Sequence, residues 1–106
     1  MYIDLEDNLT KKYYKEIVEK AILIAKETCD CSPNNPINIS FYNQLLDIKN
    51  SVIDNSEIYT KEEAYKKYPM AVIVTKNFIG EEGETDYAKM LKDIVWGISL
   101  YPNMSE

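Results

Sequence analysis

Between Asn8 and Thr28, Leu9, Tyr13, Ile17, Ala21, Ile24 and Thr28 recur every three or four positions, the period of an α-helix. Tyr14, Val18, Ile22 and Ala25 widen this stripe to about half the helix circumference, more than contact with a single neighbour would bury. The opposite arc is Lys12, Lys15, Glu16, Glu19, Lys20, Lys26 and Glu27, interrupted only by Leu23. Such a helix needs several further elements to cover it. A chain of 106 residues provides them within one domain that holds its own core.

Ser32-Pro33-Asn34-Asn35-Pro36 breaks the first helix, because prolines and asparagines favour turns. A second helix fits 39–54, with Asn38 as N-cap and Phe41, Leu45, Ile48 and Val52 on its inner face. Thr60 and Glu63 stand at the spacing of a capping box, which predicts a short helix over 61–67. Pro69 ends it by driving Tyr68 out of helical conformation. Residues 70–75 are ambiguous: the β-branched run Val72 to Thr75 favours a strand, whereas Pro69 and Gly80 sit where a buried helix would start and stop. A last helix covers 86–100, with Tyr87, Met90, Leu91, Ile94, Val95, Ile98 and Tyr101 as its core face and residues 102–106 as a frayed tail. The expected fold is mainly α, a compact bundle of four to five helices. The alternative is α+β with a short sheet that includes 70–75.

Chemistry is narrowly bounded. All twelve basic residues are lysines, and histidine is absent, so the guanidinium fork suited to phosphates and the side chain most used for proton transfer near neutrality are both missing. No phosphate loop or nucleophilic triad can be assembled from what remains, and no catalytic residue is assigned. Cys29 and Cys31, separated by one residue, are too close for an unstrained disulfide. They cannot complete a four-ligand zinc site without a second copy of the chain. No metal or cofactor is therefore expected. Glu81, Glu82, Glu84 and Asp86 lack the alternation of a calcium loop and read as a solvated helix entry. Lys11-Lys-Tyr-Tyr-Lys15 and Tyr65-Lys-Lys-Tyr68 mix cations with rings, and lysine stems lying over tyrosines account for them more simply than base stacking.

Eighteen carboxylates leave a net charge of −6. The acids concentrate after residue 80, where six face two lysines. Such a field disfavours nucleic acid and favours a protein partner with a basic surface. No stretch approaches a membrane span, and the acidic start is unlike a secretory leader, so a cytoplasmic location is expected. Trp96 and Leu100, four residues apart, project away from the core face of the last helix beside Lys89 and Asp93, and Gly97 would let a partner approach the backbone.

The expected function is stoichiometric protein–protein interaction through Trp96, Leu100, Lys89, Asp93, Glu81, Glu82, Glu84 and Asp86. Small inhibitors of phage or mobile-element origin and immunity proteins mask nucleic-acid-handling partners in this way, an analogy of size and charge only. The rival readings are a self-associating adaptor that forms a homo-oligomer and a sensor of a small anionic ligand that uses the lysine–tyrosine segments. The charge balance predicts no measurable binding to duplex DNA at physiological salt. A gel-shift assay checks this, and a micromolar dissociation constant would contradict it.

Overall fold

The computed structural model describes residues 2–77 and 85–105 and contains five α-helices, with no strand among the described residues. Helix α1 spans Lys11–Cys31, α2 Pro36–Ile48, α3 Lys61–Lys67, α4 Met70–Asn77 and α5 Asp86–Gly97. The mainly α bundle is the observed architecture. α1 packs on α2 and α5, while α5 also contacts α3 and α4. One hydrophobic cluster runs through all five helices, and no described helix is long and apolar enough to cross a membrane.

α1 begins three residues later than expected, at Lys11 and not Asn8, because the Thr10 hydroxyl caps it by accepting from Tyr13 N at 3.1 Å. Leu9 consequently falls outside the helix and is exposed, whereas Tyr14, Ile17, Val18, Ala21 and Ala25 are buried. The helix also runs three residues further, through both cysteines. At about 100° per residue their side chains diverge by roughly 200°, and both are free thiols.

α2 starts three residues before the predicted position. Asn35, not Asn38, is the cap, accepting from Ile37 N and Asn38 N, and Pro36 occupies the first turn, where its missing N–H costs nothing. The buried face is the expected one: Phe41, Leu45, Ile48 and Val52. After Ile48 the helix widens into a π-helical stretch, Lys49–Asp54, and stops where Ser56 turns to a positive φ of 53°.

Thr60 and Glu63 form the complete capping box, with Thr60 N donating to Glu63 Oε1 at 2.9 Å and Glu63 N donating to Thr60 Oγ1 at 3.1 Å. These hydrogen bonds hold the Glu63 carboxyl below its ordinary value. Residues 70–75 are helical and not a strand. Met70, Ala71 and Val74 are buried while Val72 is exposed, the spacing of a helix face. Gln44 of α2 accepts from Met70 N at 3.0 Å and so satisfies a donor at the start of α4.

α5 ends at Gly97, earlier than predicted, and the chain turns through 98–100 into a short 3₁₀ helix, Tyr101–Asn103. Residues 102–105 are docked, which corrects the expectation of a frayed tail. Met104 is buried and Ser105 O accepts from Lys11 N at 2.7 Å. This bond also satisfies a donor at the start of α1.

The hydroxyls of Tyr14, Tyr68 and Tyr2 are among those tied into this framework. Tyr14 donates to Ile94 O at 2.6 Å, Tyr68 to Asp47 Oδ2 at 2.6 Å, and Tyr2 to Asp93 Oδ2. Burial raises the pKa of each, and for Tyr2 and Tyr68 the neighbouring carboxylate raises it further. Tyr87 is pushed up to about 12 by burial, with a smaller contribution from Cys29. Below about pH 10 these phenols are protonated in both the folded and unfolded chain, so their contribution to stability is complete. Above that, the unfolded chain releases protons that the folded one retains, and stability must fall as pH rises. Urea titrations across the alkaline range should show stability declining progressively above about pH 10. A flat profile to about pH 12 would contradict the assignment.

Candidate functional site

The N-terminal segment builds the site. Leu5 is fully buried, and its side chain sits over Gly97: a Cβ added there would lie 2.7 Å from Leu5 Cδ2 and 2.8 Å from Tyr14 Cε1. The absent side chain at 97 therefore serves packing within the chain, and the group that approaches the α5 backbone is Leu5, not a partner. Tyr2 OH and Leu5 N both donate to Asp93 Oδ2, the latter at 3.0 Å, which fixes residues 2–5 across α5.

This docking places Asp4 and Glu6 beside the outer face of α5. Together with Lys89, Lys92, Asp93 and Trp96 they line a depression of about 390 Å³. The α5 residues fall at helical spacings of three and four, which puts them on one face. Trp96 is half-buried, packed against the edge of the core, and forms the apolar part of the lining. Three carboxylates and two ammonium groups share this small volume.

Of the residues singled out from sequence, Trp96, Lys89 and Asp93 meet in this depression. Leu100 does not line it. It lies in the turn after α5, half-buried against the core, with its N–H donating to Gly97 O at 3.1 Å. Asp86 is exposed in the first turn of α5, behind the Thr85 cap, which accepts from Ala88 N at 3.2 Å. There a negative charge complements the helix dipole. Glu81, Glu82 and Glu84 lie outside the described residues.

Asp4 and Glu6 escape sequence reasoning because nothing in their pattern says that the segment folds back over α5. The available signal was indirect: a glycine in the last turn of an amphipathic helix marks a close approach. Asp93, read as an exposed interface acid, has a structural duty as the acceptor that holds the N-terminal segment.

Within the lysine–tyrosine segments, Lys11, Lys66 and Lys67 are engaged within the chain. Lys67 Nζ donates to Tyr59 OH at 2.7 Å, lies 3.6 Å from Asp47 Oδ2, and sits 5.0 and 5.5 Å from the ring centroids of Tyr59 and Tyr68. Its pKa is raised, first by the bond to Tyr59. Lys11 likewise lies 5.7 Å from the Tyr101 ring centroid. No protein-family model, curated protein or solved structure matches the chain.

Asp93→Ala removes the acceptor of two donors, and leaving such groups unsatisfied costs about 1–3 kcal/mol. Chemical denaturation should show a loss of that size, and proteolysis should begin within residues 1–7. Unchanged stability would mean that Leu5 packing and the Tyr13 bond to the Ile3 carbonyl hold the N-terminal segment without Asp93.

Proposed function

We propose that the protein acts by stoichiometric binding to a partner with a basic surface, with the Trp96 depression as the docking point. The carrying observation is the meeting of a half-buried tryptophan with Asp4, Glu6 and Asp93 in one depression, on a chain of net charge −6. Tryptophan is a frequent interface anchor because it offers a large rigid apolar surface beside a hydrogen-bond donor. Surrounding acids speed and orient the approach of a cationic partner more than they add affinity. The chemistry of the depression favours binding over catalysis. Asp93 is engaged by two donors, and neither thiol nor imidazole lines the depression.

On this reading the protein is an inhibitor or immunity-type factor that works in the cytoplasm by covering a basic, nucleic-acid-handling surface. Masking requires only occupancy, which a small acidic domain supplies without catalytic groups.

The test is affinity capture from host extract with three baits: the wild type, Trp96→Ala, and the double variant Asp4→Lys, Glu6→Lys. The partner is then titrated against each bait in purified form. Trp96→Ala should weaken the complex by about 2 kcal/mol or more. Its stability cost should stay below the ~3–5 kcal/mol of truncating a fully buried aromatic, because the ring is only half-buried. The charge-reversed bait should bind more weakly still, and the wild-type complex should loosen as salt is raised. Equal capture by all three baits would overturn the proposal, as would a concentration-dependent rise in mass of the pure protein that Trp96→Ala abolishes, which would identify a homo-oligomer.

A further inference from the structure

A second, larger depression of about 650 Å³ has the N-terminal segment as one wall and runs along the outer face of α1 from Tyr13 to Leu23. Leu23 interrupts the polar arc of that helix and is 61% exposed. At the other end Tyr13 is half-buried, and its hydroxyl is spent on the Ile3 carbonyl. Its ring and the 54% exposed Ile3 therefore form an apolar corner. Between this corner and Leu23 stand Glu16 and Lys20. At 3.6 residues per turn, Tyr13, Glu16, Lys20 and Leu23 fall within about 80° of arc, centred opposite the buried Val18. Among the described residues neither Glu16 nor Lys20 is in an ion pair, whereas Glu19, to one side, is held by Lys49 at 2.6 Å.

This face is complementary to itself. Tyr13 and Leu23 stand five positions either side of Val18, and Glu16 and Lys20 stand two. Two α1 helices laid antiparallel about a twofold axis at that level set Leu23 of each against Tyr13 of the other, and Glu16 of each against Lys20 of the other. A twofold contact requires a patch of this kind. Both apolar contacts and both ion pairs form at one register, spread over about 15 Å at 1.5 Å per residue. A slip of one turn brings either Glu16 or Lys20 against its own copy, and a parallel in-register pair does so for both. Charges placed in this way select orientation and register, while the apolar ends supply the area removed from water.

We infer that the outer face of α1 is a homodimer interface: a second copy pairs antiparallel about Val18, each Leu23 seats in the Tyr13–Ile3 corner of the other copy, and two reciprocal Glu16–Lys20 pairs set the register. The face does not include Trp96, so dimerisation and partner binding can fail separately.

Sedimentation equilibrium of the full chain at physiological salt, from about 1 μM to about 1 mM, covers the affinities expected of a small contact. The wild type should pass from monomer to dimer mass over that range. Glu16→Lys and Lys20→Glu, both at exposed positions, should each weaken dimerisation at least tenfold. Glu16→Lys is the sharper variant, because it moves the net charge of −6 toward zero and general repulsion alone would then give a tighter dimer. An equimolar mixture of the two variants restores opposite charges at both contacts and should recover the dimer as a heterodimer. Leu23→Asn should also weaken dimerisation at least tenfold, Trp96→Ala should leave it unchanged, and circular dichroism should show wild-type helix content in the α1 variants. A monomeric mass throughout would overturn the inference. So would a Glu16→Lys variant that dimerises as well as the wild type, a mixture no more dimeric than its components, or a dimer that Trp96→Ala abolishes, which would place the contact on α5.

Discussion

The contact on which the remaining geometry depends is the approach of Leu5 and Tyr14 to the bare backbone at Gly97. Tyr14 is fully buried and also donates to Ile94 O, so α1 is tied to α5 by a ring and a hydrogen bond one turn apart. A methyl group at 97 would have to displace one or both side chains, and overpacking of this kind costs about 1–3 kcal/mol in well-packed interiors. The gain in helix propensity from glycine to alanine, roughly 1 kcal/mol, opposes it without removing the clash. Because Leu5 docks here, residues 2–6 are carried across α5, and both depressions exist. Asp4 and Glu6 join Trp96 in one, while Tyr2 and Ile3 wall the other.

Electrostatics divides the lysines into two populations. Lys67 lies against two rings, a phenol and the Asp47 carboxylate, and Lys11 lies near Tyr101. These cations fasten the chain to itself: Lys67 links α3 to α2 through Asp47 and to the segment before α3 through Tyr59. Exposed pairs of this kind contribute little singly, about 0–1 kcal/mol, and gain from acting as a network. Among the described residues Lys15 and Lys20 are engaged in no such pair, and they stand beside apolar surface. The difference between the populations is positional, since Lys15 and Lys67, one from each, both adjoin a tyrosine in the sequence.

Legibility from sequence follows the range of the interactions. The Thr60 capping box and the α2 core face of Phe41, Leu45, Ile48 and Val52 involve residues a few positions apart, and each is present as read. The helix ends were less legible, because Thr10 and Asn35 compete with nearby cap candidates and packing decides among them. For 70–75 local signals conflicted, the β-branched run favouring a strand and the flanking Pro69 and Gly80 a helix. Burial of Met70, Ala71 and Val74, with Gln44 satisfying Met70 N, makes the same residues helical. In the candidate site, Trp96, Lys89 and Asp93 could be grouped by helical spacing alone. Their companions Asp4 and Glu6 could not, since they stand more than eighty residues away in the chain.

By itself, then, the sequence determined the helices outside 70–75, the internal faces of α2 and α5, the negative charge, and the lack of guanidinium and imidazole chemistry. These are set by composition and by periodicities that act within a few residues. Tertiary structure alone decided that the N-terminal segment packs on Gly97, that residues 102–105 dock beside the start of α1, and that Asp93 is an anchor. It also decided which lysines are paired and which line a groove. Those outcomes depend on which surfaces meet across the chain, and one-dimensional spacing does not encode such meetings.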